Sequence, residues 1–172
     1  ESYKAAWRDA LDATRDQPRT LVLRDYHVDN LMRIPGRKGL RACGLLDFQD
    51  AVVGPAAYDL ASLLEDARRD VPSRIKAAMI DRYLGAFASL DQSAFRAAFT
   101  ILAAQRHAKV IGIFTRLCVR DGKPGYLRHI PRVWRLLDSA LCEPPLGAVA
   151  SWFARHLPPE IRGIPPCRNA AE

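Results

Sequence analysis

Up to Pro55 the chain alternates short apolar runs with turn residues; beyond it, apolar residues recur at helical spacing almost to the end. Thr20–Leu23, Leu31–Ile34 and Leu40–Leu46 have strand character, and Pro35-Gly36-Arg37-Lys38-Gly39 between the last two reads as a hairpin turn. Tyr3, Ala6, Trp7, Ala10 and Leu11 predict a helix over 1–17, closed by Pro18. After Pro55 the spacing predicts helices over 59–69 and 73–90, the latter with Ile75, Met79, Ile80, Tyr83 and Phe87 on one face. A longer helix is expected over 91–119, capped by Asp91 or Ser93. Two more are expected over 126–141 and 146–156, with a break at Asp121–Gly125. Proline density from Pro158 onward predicts irregular chain, leaving 161–172 as a tail outside one domain of 1–160. The expected class is therefore α+β, mainly α: a short β-hairpin whose loops carry polar groups, followed by a helical bundle.

No apolar run reaches the roughly 18 to 20 residues that span a bilayer. The oily stretch Ala97–Ala104 is followed at once by Gln105, Arg106, His107 and Lys109, and residues 1–17 are amphipathic rather than signal-like. Neither a membrane span nor a membrane partner is expected. The net charge of +7 comes from 26 Lys and Arg against 19 Asp and Glu. That excess is dispersed over Arg68, Arg69, Arg116, Arg120, Arg128, Arg132 and Arg135 without a dense tract. Nucleotide phosphates or an acidic small molecule suit such a surface better than nucleic acid does. Cys43, Cys118, Cys142 and Cys167 are far apart and form no Cys-x-x-Cys pair, so buried or idle thiols in a reducing, cytoplasmic setting are expected ahead of disulfides or zinc.

Three polar groups fall where turns are predicted: Asp25 after the first apolar run, Asn30 five residues later, and Asp47 after Gly44-Leu45-Leu46. If the strands over 20–23 and 44–46 pair, two carboxylates and an amide converge at one end. A carboxylate able to accept a hydroxyl proton, beside oxygen ligands for Mg²⁺, is what phosphoryl transfer requires. Taken singly, each residue has an ordinary explanation as a turn former or loop cap. Together they follow the kinase order Asp-x-x-x-x-Asn and then Asp-Phe, here Asp47-Phe48.

Leu23–Leu31 (Leu-Arg-Asp-Tyr-His-Val-Asp-Asn-Leu), Gly44–Ala51 and Gly54–Ala61 resemble the aminoglycoside phosphotransferase/choline kinase superfamily, in its carboxy-terminal lobe. Gln105-Arg106-His107, Gly112–Leu117 and Asp121–Pro124 are similar to one branch in particular, the bacterial cell-wall-recycling kinases acting on the anomeric hydroxyl of N-acetylmuramate and N-acetylglucosamine. The likeness runs from about Thr20 to Arg162. It implies a protein-kinase-like lobe that uses ATP and Mg²⁺ to phosphorylate a sugar. Asp25 would be the catalytic base and Asn30 and Asp47 the metal ligands. Arg24, His27 and Asp59 would be supporting residues, with Asp59 bracing the catalytic loop through its backbone. Many relatives carry His-Gly-Asp where this chain has Leu23-Arg24-Asp25; the base is kept. The same superfamily also offers aminoglycosides, choline or homoserine as acceptors, and a non-catalytic binding module is the alternative of a different class.

Glu65 and Asp66 follow the Asp59 helix start and are candidates to line a sugar pocket; a solvated helix end is the plainer reading. Arg106 and Lys109 are candidates to meet a sugar-acid carboxylate, for which the guanidinium fork is well shaped; an isolated polar helix face fits the pattern equally well. Neither a Gly-x-Gly-x-x-Gly loop nor a Val-Ala-x-Lys strand is found. The amino-terminal nucleotide-holding lobe is thus expected to be missing from this chain, and the chain alone to turn over little substrate.

Overall fold

The computed structural model describes residues 1–166. α-Helix and 3₁₀ turns together cover 63% of the described residues and the described strands form two small sheets, so the class is α+β, mainly α. In order the elements are α1 (Ser2–Asp12), β1 (Arg19–Val22), β2 (Leu31–Arg33), β3 (Cys43–Leu45), β4 (Val52–Pro55), α2 (Ala57–Leu64), α3 (Ser73–Ala86), α4 (Gln92–Asp121), α5 (Ile130–Leu141) and α6 (Gly147–His156). Among the described residues no helix is long and apolar enough to cross a membrane. The chain divides into two compact units. One carries the sheets and holds 15–66 and 70–99; the other is helical and, among the described residues, holds 1–14, 67–69 and 100–166.

In the sheet-bearing unit, the hairpin expected around Pro35–Gly39 is present as β2 against β3, antiparallel, with Leu31 opposite Leu45 and Arg33 opposite Cys43. The first strand does not pair with β3, as the convergence argument assumed. It pairs with β4, a strand the sequence pattern did not suggest, with Thr20 opposite Gly54 and Val22 opposite Val52. Val-Val-Gly-Pro offers only two β-branched residues before two turn formers, so its strand character comes from the partner and not from local preference. Gly54 is buried, and a Cβ there would stand 3.2 Å from Val22 Cγ2. Gly54→Val is expected to destabilise the chain by about 1–3 kcal/mol through overpacking against β1, read by urea denaturation. An unchanged midpoint would mean that β1 and β4 separate freely.

Helix boundaries moved for local reasons. The helix expected to reach Gln17 ends at Asp12, because the amide (2.9 Å) and hydroxyl (2.8 Å) of Thr14 both donate to the Leu11 carbonyl. α2 stops at Leu64 and α3 at Ala86, short of the expected ends. On α3 the buried residues are Ile80 and Leu84, whereas Ile75, Met79 and Phe87 of the expected apolar face are exposed. Asp91 caps α4 through its carboxylate, which accepts from the Ala94 amide at 2.9 Å. The helix expected over 126–141 is a 3₁₀ turn, Pro124–His129, followed by α5.

The core of the helical unit is built where α1, α4, α5 and α6 turn their apolar stripes inward: Trp7, Ile101, Leu137, Leu146 and Phe153 are all nearly sealed from water. A second cluster holds Val110, Phe114, Leu127, Ile130 and Val133. In the expected tail, Pro159–Ile161 form a 3₁₀ turn, and Arg162 is anchored by an ion pair to Asp138 with its guanidinium 4.7 Å from the Trp134 ring centre. Residues 167–172 lie outside the described residues. Cys43 and Cys142 are free thiols, but Cys118 is disulfide-bonded, where buried or idle thiols were expected ahead of disulfides.

Candidate active site

β1 ends on buried Val22, and the chain then turns sharply. Two successive backbone amides, of Leu23 (2.6 Å) and Arg24 (3.0 Å), donate to the two carboxylate oxygens of Asp59 in the first turn of α2. Each is a charge-assisted bond, stronger than a neutral one. Arg24 is held at φ +70°, and the Asp25 amide returns to the Leu23 carbonyl at 2.9 Å. Asp25 therefore stands exposed directly after a backbone reversal. His27 is buried at 7% exposure and its carbonyl accepts from the Asn30 amide at 2.9 Å, closing the 3₁₀ turn Val28–Asn30. Asn30 Nδ2 then donates to the Asp25 carbonyl at 2.8 Å, so the loop from 25 to 30 is clasped at both ends.

Asp47 arrives from the hairpin. Beyond the β2–β3 register, the Leu46 amide donates to the Asn30 carbonyl at 3.0 Å, which sets the next residue beside Asn30. Asp47 Oδ2 lies 3.5 Å from Asn30 Nδ2, and Asp47 Oδ1 accepts from Gln49 Nε2 at 2.6 Å. Arg24 Nη1 reaches the Asp50 carbonyl at 3.4 Å, tying the two loops together. The Asn30 amide meets the Asp47 carboxylate and the backbone carbonyl of Asp25, and it does so through β2–β3 and the loop after β1 rather than through pairing of the strands at 20–23 and 44–46.

Arg24 and Asp47 are the non-glycine residues with positive φ among the described residues, at +70° and +55°. Such backbone costs of order 1–3 kcal/mol per residue and persists only where surrounding bonds over-determine it. Here those bonds are Asp59 on one loop, and Asn30 and Gln49 around the other. Partial burial pushes the Tyr26 phenol above its usual range, with Cys43 and Asp59 adding to the effect, so Tyr26 contributes no charge near neutrality.

The donors gathered here are carboxylate and amide oxygens, the hard set that suits Mg²⁺ and not a softer metal. Among the described residues there is no group of three or more His, Cys, Asp or Glu side chains suited to holding a metal on their own. A cation at Asn30 and Asp47 would thus complete its shell with water and phosphate oxygens, as Mg²⁺ habitually does.

The other candidates are placed differently. Glu65 (7% exposed) forms an ion pair with Lys76 at 2.6 Å, and Asp66 is buried at 1%. Arg106 (3% exposed) and half-buried Lys109 sit on α4 in the helical unit. Gln49 was not singled out from sequence, and only its place two residues after Asp47 pointed to it.

The chain matches the model of the phosphotransferase enzyme family over residues 2–97. It is 48% identical over 139 residues to an N-acetylmuramate/N-acetylglucosamine kinase of Caulobacter vibrioides, covering 81% of this chain and 38% of that one. Proteins of the same name from Pseudomonas putida (37% over 155 residues, 82% and 43% covered) and Pseudomonas aeruginosa (38% over 164 residues, 90% and 47% covered) are similar along its length. The chain spans less than half the length of these relatives. With the site's three segments all inside the matched region, the chain belongs to the phosphotransferase enzyme family.

Proposed function

We propose that this chain is the acceptor-side, kinase-like lobe of a cytoplasmic, ATP-dependent sugar kinase that phosphorylates N-acetylmuramate and N-acetylglucosamine at the anomeric hydroxyl. The observation that carries the reading is the Asn30 amide, within 2.8 Å of the Asp25 carbonyl and 3.5 Å of the Asp47 carboxylate, which joins the three segments into one cluster. The names of the relatives support the choice of acceptor. Asp25 orients the sugar hydroxyl and accepts its proton as the oxygen attacks the terminal phosphoryl group. Asn30 and Asp47 are the residues that would hold Mg²⁺, which when bound neutralises phosphate charge. Asp59 and Arg24 keep the loop in the strained shape that presents Asp25.

The acceptor test uses a polypeptide of the relatives' length and a panel of N-acetylmuramate, N-acetylglucosamine, kanamycin, choline and homoserine. ATP consumption with the two amino sugars is expected; phosphorylation of only one of the other three would overturn the sugar reading. The 172-residue chain assayed alone is expected to show no measurable turnover, because the nucleotide phosphates lack part of their clamp.

Gln49 competes for an oxygen that the metal needs. Gln49→Ala is therefore expected to tighten Mn²⁺ binding, used as a paramagnetic probe for Mg²⁺, by up to about tenfold, roughly one charge-assisted hydrogen bond. Weaker binding in that variant would instead make Gln49 a support for Asp47.

A further inference from the structure

The helical unit holds a cavity of about 410 Å³ lined by Arg68, Lys123, Gly125, Tyr126, Arg128 and His129. We infer that it is a binding site for a phosphomonoester of a sugar-sized molecule, distinct from the Asp25 cluster. The inference does not rest on the phosphotransfer reading, since Asp25, Asn30 and Asp47 belong to the sheet-bearing unit and the experiment below needs no turnover.

The cavity's basic groups are held in place by the fold. Arg68 is half-buried, with its guanidinium 5.7 Å from the Phe114 ring centre and 6.0 Å from that of Tyr126. Those rings are 5.3 Å apart and His129 lies 6.0 Å from Phe114, so the cation rests on an aromatic shelf anchored in buried Phe114, Leu127 and Ile130. Gly122, at φ +63°, ends α4, and the Lys123 amide returns to the Leu117 carbonyl at 3.0 Å, fixing where that ammonium starts. Arg128 Nε donates to His129 Nε2 at 3.3 Å, a contact that engages one of the five N–H donors of its guanidinium.

Charge selects the ligand. Three permanent cations line the space and no carboxylate does. Asp121, the acid closest in sequence to Lys123, is engaged by Arg120 through two bonds of 2.6 and 2.9 Å, which, with the nearby charges of Lys123 and Arg116, hold its carboxyl below the usual range. Lys123 and Arg128 alone bring two positive charges, which a phosphomonoester dianion matches and a single carboxylate does not, and the guanidinium fork of Arg128 suits its oxygens. The volume lies within the span of roughly 300–1,000 Å³ typical of small-molecule pockets. It exceeds what a bare phosphate fills, and Tyr126 offers an apolar face with a hydroxyl for the rest of the molecule.

The test is an amide ¹⁵N–¹H titration of the 172-residue chain at constant ionic strength, with glucose 1-phosphate, inorganic phosphate, glucose and acetate. Saturable shifts at Gly125, Tyr126 and Arg128 are expected with glucose 1-phosphate, weaker ones with inorganic phosphate, and none with glucose. Lys123→Gln and Arg128→Gln, both at exposed positions that leave the shelf intact, should each weaken binding by roughly tenfold. Arg8→Gln on α1 removes the same charge elsewhere and should change nothing. Unsaturable shifts, acetate acting as strongly as phosphate, or an equal loss in Arg8→Gln would each overturn the assignment.

Discussion

Asp59→Ala is expected to cost about 3–5 kcal/mol of stability in the sheet-bearing unit, the sum of two bonds to a charged acceptor. Its carboxylate accepts from Leu23 at 2.6 Å and Arg24 at 3.0 Å. The substitution also releases Arg24 from φ +70°, so the loop relaxes to ordinary backbone and Asp25 loses its position. Asp59→Asn keeps one acceptor oxygen and should cost about half as much. Denaturation midpoints give the size, and hydrogen exchange at Leu23 and Arg24 gives the location, because the two units need not unfold together. Amides at 23 and 24 as well protected in Asp59→Ala as in the parent would show that something else holds the loop.

The second large effect is on chemistry. Asp25→Asn, made in a polypeptide of the relatives' length, is expected to lower kcat by roughly 10²–10⁴-fold, the usual contribution of a positioned general base. The residue is exposed, and the bond closing the loop runs to its backbone carbonyl rather than its side chain. Stability should therefore change by less than about 0.5 kcal/mol. The nucleotide KM should also stay near the parent's, which separates loss of a base from collapse of the site. Retained turnover in Asp25→Asn would remove Asp25 from the proton-transfer step, and a large fall in stability would recast it as a structural residue.

The loop geometry from Asp25 to Asn30 was legible in the residues because it is short-range. Asp25 and Asn30 lie five positions apart, and a turn of that length can bring an amide back to a carbonyl whatever surrounds it. The cap at Asp91 and the hairpin around Pro35–Gly39 were legible for the same reason. Burial was not. Ile75, Met79 and Phe87 share a helical period with Ile80, yet they remain exposed while Ile80 and Leu84 are covered. A periodic stripe says which face could be buried, and only the packing partner says how much of it is. Arg106 and Asp66 were read as pocket-lining candidates or as groups on a solvated helix face, and both are almost wholly enclosed.

From residue types and spacing alone came the mainly helical class, the hairpin, the Asp25, Asn30 and Asp47 set, and the family resemblance that the comparisons then established. What the tertiary structure decided was how those three residues meet. β1 pairs with a strand some thirty residues downstream, and Asp59 reaches back from α2 to grip the turn after β1. The energy of that pairing depends on what stands opposite, such as Gly54 leaving room for Val22, and no local propensity carries that information.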